Sequence, residues 1–465
     1  METATETHVT LPRQPLDGES PRTLYGRLLK LAVPIMAGNF VHTLYNMADT
    51  WFLGKLSREA LAAPSIAFNI IMLLTVFGGA FASAGTTLMA QAKGKGDSDK
   101  INFYLGQMAS LLLITAGSLT VIGLLLAKPL LALLQVPAEV YEYTLVYMRI
   151  MMLEIPLMFV AFILGGALQA TGNSFTPFKI QLVTVTLNII LDPLLIFGLG
   201  PIPALGVAGA AWATVFSRAV SAVIAVRLLL SGRYGIRLQA RHMRLRRDSV
   251  LLLAKIGLPS SFGHAISTLG FTVMQGAINS FGTAVIAAAG VGNRIIGLFN
   301  MPAMGFSQAT ATLVGQSLGA RNIPKARLVV KQSLLTILIF ITIAMVLTFF
   351  FGASLVRFFV DDAETIQHGV AQFRIVSLSV IFFALFNVLN GAFQGGGDTV
   401  PVMANNIIRL WGLRVPLIYL LCFGLAWGPV GIWWSMFWSN LVVTAIAYYL
   451  YRTGRWAHKI NPDRI

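Results

Sequence analysis

Three of the chain's eighteen acidic residues, Asp49, Glu154 and Asp192, lie inside long apolar runs; the others fall in tails, loops and helix entrances. A carboxylate at membrane depth costs roughly 2.5–3.5 kcal/mol on insertion scales, so each of the three needs a proton, a cation or a partner. Asp49 ends a segment in which His42, Tyr45, Asn46 and Asp49 are spaced i, i+3, i+4, i+7, which makes them one polar stripe on a helix. Asp192 follows Asn188 by four residues and so shares its helix face, and Pro193 removes a backbone donor there, leaving an extra carbonyl acceptor. Carboxylates, the Asn188 amide oxygen and a hydroxyl such as Thr214 would hold a proton or a small hard cation. The plainer alternative is an Asp192 satisfied by Asn188 and Thr214 merely to lock the helices. Glu154 stands five residues after Arg149, a spacing that points the two apart, so its partner is expected on a neighbouring helix.

These residues must be positioned by helices. The chain has 465 residues, 56% hydrophobic and 11% charged, against about 25% charged in an ordinary soluble domain. Apolar runs of about 20 residues recur between short polar breaks, which selects membrane helices over an alternating barrel. Twelve spans are expected: 31–54, 61–90, 102–127, 139–169, 177–199, 206–230, 253–279, 285–315, 327–354, 364–393, 401–424 and 428–452. The fold class is an all-α polytopic membrane protein.

A shift of 225 positions aligns the chain with itself. Pro34 falls on Pro259, Gln91 on Gln316, Glu139 on Glu364, Arg149 on Arg374, and Gly166-Ala167 on Gly391-Ala392. Late in the repeat the offset falls to 222, where Gly206 matches Gly428, and Gly200–Ala204 is the expected place of the deletion. Six spans per copy make these parallel repeats, two six-helix lobes around a central cleft. The expected organisation is a disordered tail over 1–24, an N-lobe over 25–230, a basic linker over 231–252 lying along the anionic leaflet, a C-lobe over 253–452 and a tail over 453–465. The N-terminal tail reads as polar and not as a signal peptide.

The formal charge of +16 is concentrated in alternate loops, as at Arg233, Arg237, Arg241, Arg244, Arg246 and Arg247. That is the positive-inside pattern, which puts both termini in the cytoplasm of a cell with an inner membrane and argues against nucleic acid as a partner. Cys422 is the single cysteine, and no phosphate loop or metal-ligand spacing occurs, so neither ATP-driven transport nor an intramembrane enzyme is expected. The stripe is confined to one copy: Asp49 matches Met274 and Tyr45 matches Gly270. Repeat logic then puts Met274, Phe271, Phe299, Met301 and Met304 near the cleft as a soft apolar surface for varied ligands, together with His42, Asn46 and Glu154; the plainer alternative for the aromatic and Met positions is core. The arginines Arg218, Arg294, Arg374, Arg409 and Arg414 lie at membrane depth and are expected to snorkel or cap helix ends.

Leu44-Tyr45-Asn46-x-x-Asp49 after Pro34, Asn188-x-x-x-Asp192-Pro193 and Gly206-Val207-x-Gly209-Ala210-Ala211-x-Ala213-Thr214 together resemble the multidrug and toxic compound extrusion (MATE) family, and within it the DinF-like prokaryotic branch. The resemblance spans about residues 25–452. It implies a cation-coupling site of Asp49, Asn188, Asp192 and Thr214 with Tyr45 in the same network, and a bending of the first helix at Pro34. Two positions depart from family patterns: Thr171 stands where some members carry an acid, and the second-lobe carboxylates of the NorM-like branch are missing. The expected function is secondary antiport, exporting organic, amphipathic cationic compounds in exchange for protons in preference to sodium, by a monomer in contact with membrane lipids and small-molecule substrates, with no cofactor. The alternative is a lipid-linked oligosaccharide flippase using Arg294, Arg409 and Arg414 on a pyrophosphate.

Overall fold

The computed structural model describes residues 20–198 and 203–460. Among these every regular element is helical. In chain order the helices are α1 (Pro21–Leu56), α2 (Arg58–Lys95), α3 (Ser98–Leu133), α4 (Ala138–Met152), α5 (Glu154–Ala170), α6 (Phe175–Ile196) and α7 (Val207–Ser231). A short α8 (Ala240–Met243) leads to α9 (Arg247–Asn279), α10 (Thr283–Gly319), α11 (Ile323–Arg357) and α12 (Ala363–Gly395). Then follow α13 (Val400–Ile407), a π-helical stretch Ile408–Arg414, α14 (Val415–Ile418), a second π-helical stretch Tyr419–Gly424, and α15 (Val430–Arg452). Among the described residues, twelve helical spans are long and apolar enough to cross a membrane.

The helix starts repeat the sequence offset: α2 begins at Arg58 and α10 at Thr283 (283 − 58 = 225), and α3 and α11, α4 and α12, and α6 and α13 keep the same interval. Polar caps set several of these starts. Ser57 accepts from the Ala60 amide, Asp97 from Lys100, Asn322 from Lys325 and Asp362 from Thr365, each meeting one of the donors that a helix N-terminus leaves unpaired.

The described residues divide into two compact units, the first holding residues 37–257 and the second residues 20–36 and 258–460. Thus α1 changes unit two residues after Pro34, and α9 changes unit just before Pro259. Leu24, Leu28, Leu31 and Ala32, on one face of the first half of α1, are buried in the core that also contains Phe306, Phe386, Phe393 and Trp433. Residues 21–24, expected in a disordered tail, therefore form a packed first turn; the rest of that tail lies outside the described residues, as do most of the expected deletion site and the last five residues.

The basic linker is held on α3. Gln107 Nε2 donates to the His242 and Arg244 carbonyls at 2.7 and 2.9 Å, Ser110 Oγ to the Met243 carbonyl at 2.6 Å, and the Arg246 amide donates back to Gln107 Oε1 at 2.8 Å. After α15 a 3-10 turn, Arg455–His458, buries Trp456, which stacks on Tyr451 with ring centroids 5.3 Å apart. Both segments are more ordered than polar connections need be, because their backbone groups find partners on neighbouring helices.

Candidate functional site

Asp49, Tyr45, Asn188, Asp192 and Thr214 meet inside the first unit, delivered by α1, α6 and α7. The i, i+4 spacing of Asn188 and Asp192 puts both on the face of α6 that packs on α7, where Asn188, Asp192 and Thr214 are almost wholly buried. One end of the Asn188 amide lies 3.3 Å from Asp192 Oδ1 and 3.5 Å from Thr214 Oγ1. The other end lies 3.3 Å from Asp49 Oδ1 and 3.2 Å from Asp192 Oδ2. With nitrogen at that second end, the amide donates to both carboxylates at once, which is the arrangement two acceptors require. Asp49 lies close enough to Asp192 and Tyr45 to interact with both electrostatically. The Tyr45 and Thr214 hydroxyls are 2.9 Å apart and close the ring of polar groups.

Close packing of α6 on α7 brings this about. Gly209 sits against the backbone of Leu195 and Ile196, so closely that a Cβ would run into the Leu195 carbonyl. Below it, the Thr184 and Ser221 hydroxyls are hydrogen-bonded to each other. Pro193 is accommodated inside α6, whose helix continues to Ile196.

Glu154 has a different neighbour from any that local spacing offers. The span expected as one helix over 139–169 is interrupted at Leu153, and Glu154 begins α5. The Thr120 hydroxyl reaches into the interruption and donates to the Met152 carbonyl at 3.0 Å. Arg218 on α7 donates through Nε to Glu154 Oε1 at 3.0 Å, and its guanidinium carbon stands 5.9 Å from the centroid of the Tyr45 ring. Arg218 is thus neither snorkelling nor capping. α12, the counterpart in the second unit, runs through without a break.

The rest of the α1 stripe faces outward from the unit. His42 and Asn46 are exposed and touch each other at 3.4 Å, while Asp49 is half-buried between that surface and the closed Asp192 side. Pro34 is half-buried within a continuous α1.

The expected apolar cleft residues separate. Met274 is a correction: it is buried in the second unit's core, because position 274 falls on the inward face of α9 beside Ala277 and Ile278. Phe271 and Met304 are exposed, and Phe299 and Met301 are half-buried. Arg294 and Arg374 are exposed, whereas Arg409 and Arg414 are buried among the helices of the second unit, so these two do not snorkel and are not presented to a pyrophosphate. Thr171, at the turn after α5, donates to the Leu168 carbonyl at 2.9 Å.

A family model described as MatE matches residues 34–194 and, a second time, residues 259–420. The chain belongs to the MatE family. The two matches begin 225 residues apart (259 − 34 = 225), which is the interval of the internal repeat. The chain is 24% identical over 437 residues to the probable multidrug resistance protein YoeA of Bacillus subtilis, covering 93% of each chain. It is 27% identical over 425 residues to an FAD transporter of Shewanella oneidensis, covering 91% of this chain and 93% of that one. Among solved structures it is similar to a MOP superfamily transporter from Pyrococcus furiosus, with a TM-score of 0.86, 22% identity, and coverage of 95% and 98%. This MatE chain is accordingly a multi-pass membrane transporter, not an enzyme.

Proposed function

We propose that the chain is a secondary antiporter that exports organic, amphipathic cationic compounds in exchange for protons, coupled through Asp49 and Asp192. The observation that carries this reading is the charge balance of the first unit. Asp49, Asp192 and Glu154 share one neighbourhood, and the cation acting there, Arg218, is bonded to Glu154. The Asp49–Asp192 pair is left short of positive charge in a low-dielectric surrounding, and such a pair is neutralised by a mobile cation or by a proton.

Asn188 favours the proton. Its amide nitrogen, when turned to both carboxylates, occupies the place where a hard metal ion needs an oxygen. A proton on one carboxyl adds a donor between the two carboxyl groups and removes one of their charges. The half-buried Asp49 gives the pair a way out to the exposed His42 and Asn46, so that cargo and proton compete for one charge. Proton entry weakens the attraction for a cationic cargo and favours release and reorientation. Relatives named as multidrug resistance and multidrug export proteins support the cargo class.

Both termini face the cytoplasm in this reading, and the transporter works as a monomer in the inner membrane. The deciding experiment is substrate-induced proton movement in proteoliposomes. Proton flux that follows added cationic substrate, without any sodium, is expected; substrate movement that needs sodium and no pH gradient contradicts the reading.

A further inference from the structure

The second unit buries two guanidinium groups that have no carboxylate partner among the described residues. Arg414 and Arg409 are only 1% and 5% exposed. The unit's described carboxylates, Asp361, Asp362, Glu364 and Asp398, stand in the turns between helices or at a helix start, and the buried Asp398 is paired with Lys459 at 3.2 Å. Arg414 is held by neutral groups alone: its Nε donates to Ser439 Oγ at 3.0 Å and a terminal nitrogen to Asn440 Oδ1 at 2.8 Å. Arg409 has less. One terminal nitrogen reaches Asn406 Oδ1 at 3.5 Å, its plane lies over Phe383 and Phe386 at 5.0 and 5.5 Å, and its Nε has no hydrogen-bond partner.

A buried, uncompensated cation is among the most costly arrangements in a protein, far beyond what two aromatic faces offset. The backbone makes the clustering possible. In an α-helix, residues five apart point about 140° away from each other at 100° per residue. Arg409 and Arg414 lie in the π-helical stretch Ile408–Arg414, whose i→i+5 bonding turns residues five apart towards the same side. One α-helical turn before Arg409, Asn405 is fully buried and neither its Nδ2 nor its Oδ1 has a partner. Unspent N–H donors on Arg409 and Asn405 thus sit one turn apart beside two positive charges.

We infer that Arg409, Arg414 and Asn405 form a binding site for a small inorganic anion of the size of chloride, which neutralises the interior of the second unit. The burial of the pair sets the size: a substrate phosphate or a lipid headgroup carries a body that a site so enclosed does not admit. The donor set, N–H groups without a metal or an acid, matches a monatomic anion. The site is separate from the carboxylate pair of the first unit and does not depend on which ion drives transport.

The test is the thermal stability of the purified full chain in detergent at constant ionic strength, with gluconate exchanged for chloride or bromide. Going from gluconate to about 100 mM halide should raise Tm by roughly 5 °C, the scale expected of a ligand held well above its Kd. Arg409→Met should lose this halide response. Asn405→Asp places a carboxylate one turn from Arg409 and acts as a built-in anion, so it should be more stable than the parent in gluconate and indifferent to halide. A parent chain with the same Tm in gluconate and halide overturns the site, as does an Asn405→Asp variant that is less stable in gluconate or still halide-dependent. Stabilisation by phosphate and not by halide overturns the assignment to a small monatomic anion.

Discussion

Arg218 on α7 donates to Glu154 at 3.0 Å, joining α7 to the first residue of α5, just after the interruption at Leu153. Both side chains are largely enclosed, 15% and 7% exposed, so the pair is a buried one and its two halves are not independent. Removing Arg218 alone leaves an uncompensated carboxylate, at a cost of about 3 kcal/mol. Arg218→Met should therefore lower the thermal stability of the purified protein markedly. The double variant Glu154→Met with Arg218→Met should recover much of the loss. Additive losses in a double-mutant cycle would show that the two do not act as a pair.

The hydroxyls of Tyr45 and Thr214 are 2.9 Å apart at the edge of the carboxylate pair. Tyr45→Phe keeps the ring and removes one bond, worth about 1 kcal/mol. Efflux should fall several-fold without being abolished, and folding should be retained. Unchanged transport would remove Tyr45 from the network.

Gly209 lets α7 approach the end of α6 more closely than any residue with a Cβ allows. Gly209→Ala must push the two backbones apart, which shifts Thr214 relative to Asn188. The expected outcome is reduced stability, by about 1–3 kcal/mol, and reduced efflux together. Full stability and full efflux in this variant would show that the α6–α7 distance does not set the site.

The linker carries its own pH dependence. Burial, then the neighbouring Arg241 cation, lowers the His242 imidazole from its ordinary value; Arg246 acts in the same direction, while the Asn102 backbone and Asp99 oppose it. The unfolded segment then binds more protons than the folded one between that lowered value and about 6.5. Docking of α8 on α3 is thus complete above about pH 6.5 and weakens as pH falls below it. Amide-exchange protection around 240–246, corrected for intrinsic rates, should decline through that window. Protection that rises on acidification would contradict the sign.

The helical architecture and its repeat were legible because membrane spans are written in long apolar runs, and because five anchors keep one offset from Pro34 to Gln394. The shared face of Asn188 and Asp192 was legible in helical spacing, whereas Thr214, on another helix, was only a candidate hydroxyl for it. What spacing does not carry is contact between distant helices. Arg218 is 64 residues from Glu154, and the break at Leu153 that exposes Glu154 to it is announced only by Pro156, whose missing N–H leaves the Met152 carbonyl without its i+4 donor. Met274 misled by symmetry, since a position that faces polar neighbours in one repeat faces a core in the other. The π-helical stretch hid the relation of Arg409 to Arg414, because a reading at 100° per residue separates them.

The central claim is that Asp49 and Asp192 exchange a proton for cargo. It is tested most directly by efflux of a cationic substrate from proteoliposomes under a fixed pH gradient, comparing the parent chain with Asp49→Asn and Asp192→Asn at matched reconstitution. Each variant is predicted to lose pH-driven efflux while remaining folded, and the parent to be indifferent to sodium. Full pH-driven efflux by both variants would contradict the account.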